Sequence, residues 1–211
     1  VIKEIYRIAK QSQKVISAQD VHTILSKSNS DSSRMPDDIE LKANLLERPI
    51  YGRIAQYKIR MILEAMDSAA HHNKAEYMPI QRNLTIEHIL PEKWEKHWPL
   101  TKEGKSAEEI LEQEAHRNLL KNTIGNLTLL THSLNPAISN NSWEIKRPEI
   151  VKYSKSNLNR YFQIEAEDSV GEWNEESILE RTALLADLFV EVWQAPLAKP
   201  RDLNDDKVED V

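Results

Sequence analysis

Glu87 and His88 stand side by side in NLTIEHILP (residues 83–91), just ahead of Pro91. A carboxylate can hold a hard divalent cation, and an imidazole with an ordinary pKa of about 6.5 takes a proton from water near neutrality, so the pair points to hydrolysis. Adjacent side chains on a strand face opposite sides, so the two converge only if the turn at Pro91 twists them together. Two amides follow. Asn126 comes after Gly125 in a second β-rich run, IGNLTLLT (residues 124–131), and Asn135 falls nine residues later, where a helix is expected to start. Amide oxygens orient an imidazole or ligate a metal without adding charge. Taken singly, each residue also reads as a surface pair, a turn residue or a helix cap.

These groups need a frame, and the flanking sequence supplies helices. Apolar residues at Ile2, Ile5, Ile8, Val15, Ile16, Val21, Ile24 and Leu25 predict two helices at the start. SNSDSSRMPDD (residues 28–38) reads as a loop. Helices resume in IELKANLLE and in GRIAQYKIRMILEAMDSAAHH, where Ile54, Tyr57, Ile59, Ile62, Leu63 and Met66 form a stripe to be buried. WNEESILERTALLADLFVEVWQAP predicts a closing helix capped by Asn174, and the polar KPRDLNDDKVEDV reads as a disordered tail. Between them, the runs 83–91 and 124–131 are short and β-rich, and they predict two strands that pair across an excursion containing the helical AEEILEQEAHRNLL. SLNPAISN can open a helix after the second strand.

Composition narrows the chemistry. There are no cysteines, which excludes disulfides, thiol nucleophiles and thiolate zinc sites and fits a reducing, by default cytoplasmic, compartment. Only four glycines occur in 211 residues, which argues against a glycine-rich phosphate loop. No apolar run approaches the length of a membrane helix, and the start at Val1 rather than Met reads as a fragment of a longer protein. The net charge of −6 hides an asymmetry. Residues 121–160 hold six basic side chains (Lys121, Lys146, Arg147, Lys152, Lys155, Arg160) against Glu144 and Glu149, whereas residues 161–198 hold nine acids and one arginine. A polyanion would be drawn to the first stretch and repelled by the second. Trp94, Trp98 and Trp143 flank the motif, either as core anchors or as surfaces on which bases stack.

TIEHILPEKW, HRNLLKNTIGNLTLLTHSLNPAISNNSW, EIKR and YSKSNLN together resemble the C-terminal nuclease domain of the GmrSD-type modification-dependent restriction endonucleases and their relatives in phage defence. The likeness is strongest from Thr85 to Asn159, extends to the closing helix and to YKIRMILEAMD, and is weakest over residues 1–50. It implies a mainly α fold with a small ββα-metal (HNH) core, helical segments being packed around a two-stranded hairpin and helix. The implied layout is a helical lead-in over residues 1–80, the nuclease core over 81–163, the closing helix over 164–198 and the tail over 199–211.

The resemblance further implies a metal-dependent DNA endonuclease or nickase. In it His88 would be the general base, Glu87 a ligand of one Mg²⁺ or Mn²⁺ ion, and Asn126 the residue holding the His88 side of the site. Asn135 takes the third HNH position, with Asn140 as the alternative and His132 close enough to approach the metal. Lys146 and Arg147 fall on the family's Lys-Arg step and, with Lys152 and Lys155, would grip DNA phosphates. The expected partners are DNA, a sensor and nucleotide-handling region absent from these residues, and a second copy of the chain for double-strand cutting. Two rivals stand beside this reading: an inactive HNH-like module that docks DNA or a partner, and a helical adaptor whose motif is coincidence.

Overall fold

The computed structural model describes residues 2–12, 15–28, 34–70, 84–135, 140–163 and 172–194. Their contacts fall into two units, residues 1–40 with 194–211, and residues 41–193. In the first, α1 (Ile2–Ser12) precedes α2 (Ala18–Ser26). Ser17 and Asp20 close a reciprocal capping box that fixes where α2 begins. His71, His72 and the tail from residue 199 lie outside the described residues.

The second unit is built on the two expected strands. β1 (Leu84–His88) runs antiparallel to β2 (Leu127–Thr131), with Leu84 opposite Thr131 and His88 opposite Leu127. Two strands alone are marginally stable in water, so both faces must be covered. The pleat sends Leu84, Ile86, Leu127 and Leu129 to one face, against Ile59, Leu63 and Met66 of α4 (Gln56–Ala69) and Leu45 of α3 (Asp38–Glu47). Leu130 lies on the other face, in a second core with Ile89, Leu90, Trp143, Phe162 and Trp173. Trp143, Phe162 and Trp173 pack ring on ring, their centroids 5.3–5.5 Å apart.

The connection between the strands carries α5 (Ala107–Leu120), begun by a capping box of Ser106 and Glu109. Beyond β2 lie α6 (Trp143–Tyr153), a 3₁₀ segment (Asn157–Gln163) and α7 (Glu175–Val192), whose N-cap Asn174 accepts from the Ser177 amide as expected. Leu134 and Asn135 are helical, and residues 136–139 of the expected helix SLNPAISN lie outside the described residues.

Ile124–Asn126 form a 3₁₀ turn, not the expected start of the second strand. The cause is the close approach of α7. A Cβ on Gly125 would lie 2.1 Å from Thr182 Oγ1 and 2.2 Å from the Ile178 carbonyl oxygen, so only glycine admits the helix there. Arg181 of the same helix donates from Nη1 to the Gly125 and Leu127 carbonyls at 2.6 and 2.8 Å, pinning the backbone on both sides of Asn126.

Candidate active site

His88 ends β1 and is 7 % exposed. Its Nε2 lies 3.3 Å from Asn122 Oδ1 and 3.5 Å from Glu92 Oε1, and its ring meets Tyr51 edge to face at 4.4 Å between centroids. Two acceptors at one nitrogen assign the hydrogen to Nε2, which leaves the lone pair on Nδ1. Burial lowers the pKa of His88 below the ordinary imidazole value; Glu92 and Asn122 pull it back, and Lys121 and Lys146 add to the lowering. The neutral base is therefore the favoured form at pH 7.

The residues around the imidazole hold one another. The Asn122 carbonyl accepts from the Ile50 and Tyr51 amides at 2.9 and 3.1 Å, so one residue places both the aromatic neighbour and the Nε2 partner of His88. Gly52, at φ 79°, lets the chain turn back directly after Tyr51. Lys121 Nζ bonds Glu92 Oε2 at 3.0 Å and Asn118 Oδ1 at 3.3 Å. The Glu92 side chain is 54 % exposed, so the cluster reaches solvent on the Nε2 side of the ring.

Asn126 is fully buried and uses its whole amide. Its Oδ1 accepts from Leu90 N at 2.8 Å and Trp173 Nε1 at 2.9 Å, while Nδ2 donates to the Leu90 and Lys121 carbonyls at 2.9 and 2.8 Å. Its backbone carbonyl takes the Ile89 amide at 3.0 Å. Asn126 thus ties the turn after His88 to the start of β2 and to the end of α5, with no amide valence left for a metal.

Glu87 points away from His88. It shares a strand face with Thr85, where its Oε1 accepts from Lys146 Nζ at 2.7 Å. The same ammonium donates to the His88 carbonyl at 2.7 Å. Burial pushes Glu87 up and Lys146 down, and each is partly restored by the other. Asn135 lies on the Thr85 side, its Nδ2 donating to Thr85 Oγ1 at 2.9 Å.

The expected meeting of Glu87, His88, Asn126 and Asn135 in one hollow is not what the structure holds. Strand alternation separates the acid from the imidazole, and Asn126 is saturated. Among the described residues no group of three His, Asp or Glu side chains is placed to hold a metal ion. Lys146 is likewise not on the surface: it is 0 % exposed, so the expected grip on a phosphate is replaced by an internal ion pair. Arg147 is half-buried and donates to the Phe162 carbonyl. Lys152, Lys155 and Arg160 are exposed, as are His132 and Asn140. Trp94 and Trp143 are buried core residues, while Trp98 is half-buried with its Nε1 bonded to the Trp173 carbonyl.

Sequence reasoning missed Tyr51, Glu92 and Asn122. Asn122 lies in LKNTIGN, where an Asn just past a helix is an ordinary stop signal, and Glu92 follows His88 by four residues in a stretch read only as a turn.

A mostly helical chain folded on a two-strand antiparallel sheet, with an oriented imidazole at a strand end, defines the architecture. Compared with known protein families, residues 35–188 match the GmrSD restriction endonucleases, C-terminal domain. The chain belongs to that family, which makes it a nuclease-related domain with DNA as its substrate class. A search of curated proteins gave no match. No helix among the described residues is long and apolar enough to cross a membrane.

Proposed function

We propose that the chain is a DNA endonuclease or nickase that hydrolyses phosphodiester bonds of foreign or modified DNA in phage defence, with His88 as its general base. The nuclease core is residues 81–163, framed by the helices before it and by the closing helix. The observation that carries this reading is the double engagement of His88 Nε2 by Asn122 and Glu92. It fixes the tautomer with the lone pair on Nδ1, and it sets a carboxylate 3.5 Å from Nε2, against the imidazolium that forms when the ring takes a proton. Asn126 acts at one remove, holding the turn that carries His88. Exposed Lys152, Lys155 and Arg160 supply phosphate contacts that position the duplex without reading its sequence.

Nucleases of this kind typically use a divalent ion, and Mg²⁺ or Mn²⁺ on Glu87 and Asn135 is the arrangement expected from the resemblance. The residues as placed do not fit it, because the Glu87 carboxylate is bonded to an ammonium and the Asn135 amide to Thr85. The chemistry therefore rests on His88 and its partners. One base per chain cuts one strand, so double-strand cleavage needs two copies or two events. A sensor and nucleotide-handling partner completes the system.

The Glu87–Lys146 pair favours a second reading, a module that docks DNA without cutting it. A supercoiled-plasmid assay in Mg²⁺, Mn²⁺ and EDTA separates the two. Nicking in metal that EDTA abolishes is the expected result, whereas DNA binding with no nicking in either metal supports the second.

A further inference from the structure

The acidic position of the site carries a cation of its own. On α6, Trp143, Lys146 and Ile150 are the buried residues, and their three- and four-residue spacing forces the lysine onto the stripe that faces the core. A lysine there is tolerable only if its charge is paired and hydrogen-bonded. The end of β1 supplies the pair and a second acceptor: Nζ lies 2.7 Å from Glu87 Oε1 and 2.7 Å from the His88 carbonyl, which takes two of its three hydrogens. A carboxylate and a backbone carbonyl converging on one point are also the oxygen donors that a hard divalent ion uses.

We propose that Lys146 is the resident counter-cation of Glu87, and that a divalent ion reaches this carboxylate only in competition with that ammonium. The proposal deepens the nuclease reading and rests on it for the membership of Glu87 in the site. It accounts for the disagreement between the family's expected metal and the donors seen here: the acid is present but taken. Lys146 then sets the divalent-ion affinity of this position and, by holding the His88 carbonyl, the position of the strand end that presents the imidazole.

The test is Mn²⁺ binding, followed by calorimetry or by loss of the free-ion EPR signal, in wild type, Lys146→Met and the Glu87→Gln/Lys146→Met double variant. Met keeps the buried stem and removes the charge. Lys146→Met should bind one Mn²⁺ about tenfold or more tighter than wild type, and the double variant should lose that gain. Equal affinity in wild type and Lys146→Met overturns the proposal, as does a gain that survives Glu87→Gln. Should Lys146→Met fail to fold, ¹⁵N-lysine-labelled wild type gives the answer by NMR. The Lys146 ammonium signal should shift or vanish in a large excess of Mg²⁺, and an unchanged signal overturns the idea. If no variant nicks DNA in any metal while the Mn²⁺ gain is present, the nuclease reading falls and the competition stands.

Discussion

At the scale of single residues, the site is a set of fixed roles around one imidazole. Burial favours neutral His88, Glu92 favours its protonated form, and Lys121 and Lys146 oppose that form. The signs make a prediction. As a base, His88 works when neutral, so cleavage in the free enzyme should rise with pH through a midpoint below the ordinary imidazole value of about 6.5. Glu92→Gln removes the anion that stabilises the imidazolium and should move this acid limb to lower pH, whereas Lys121→Met should move it higher. A pH profile of kcat/KM checks both, and a limb that stays in place in Glu92→Gln would take that carboxylate out of the site. The motif residues were legible in the sequence as a neighbouring acid and imidazole. Their partners were not: Tyr51 reaches His88 only because Asn122 anchors residues 50 and 51, a tertiary contact with no local sign. Lys146 was misread for a related reason, since a lysine is by default a surface residue and only the Trp143 and Ile150 spacing hints otherwise.

The elements were easier to read than the site. Apolar periodicity and the cap Asn174 placed α7, and AEEILEQEAHRNLL read as the helix of the excursion; both helices begin on caps that act within their own first turn, Asn174 and Ser106 with Glu109. β1 and β2 showed in their β-rich runs. The 3₁₀ turn between α5 and β2 did not, because what shapes it is α7, far away in sequence. That turn carries Asn126, and the helix reaches it through Gly125 and Arg181. Arg181 is itself fully buried, with no partner for Nε or Nη2 among the described residues and its guanidinium 5.0 Å from the Phe162 ring; burial lowers its pKa to about 10. A methyl group at Gly125 must push α7 off the turn, at a cost of about 3 kcal/mol. Gly125→Ala should therefore lower the urea midpoint and weaken cleavage together. A variant as stable as wild type would contradict the close packing of α7 on this turn.

Over the whole molecule, the basic stretch legible in the sequence keeps only part of its charge at the surface. Lys146 is spent internally, and Lys152, Lys155 and Arg160 remain at the surface. If these three contact phosphates, DNA affinity should fall steeply with salt, and replacing all three with alanine should flatten the slope of log K against log[salt] by about 2–3. Fluorescence anisotropy over a salt series measures this, and an unchanged slope would place the duplex on another face. The family match runs from α3 into α7, across the strands and the helices that pack on them, and so covers every residue assigned to the site.

The most direct test of the account compares His88→Ala with wild type in single-turnover nicking of supercoiled plasmid, with DNA affinity measured on the same samples. Loss of general-base help predicts a rate lower by roughly 10²–10⁴-fold at nearly unchanged affinity. Nicking by His88→Ala at the wild-type rate would contradict the central claim.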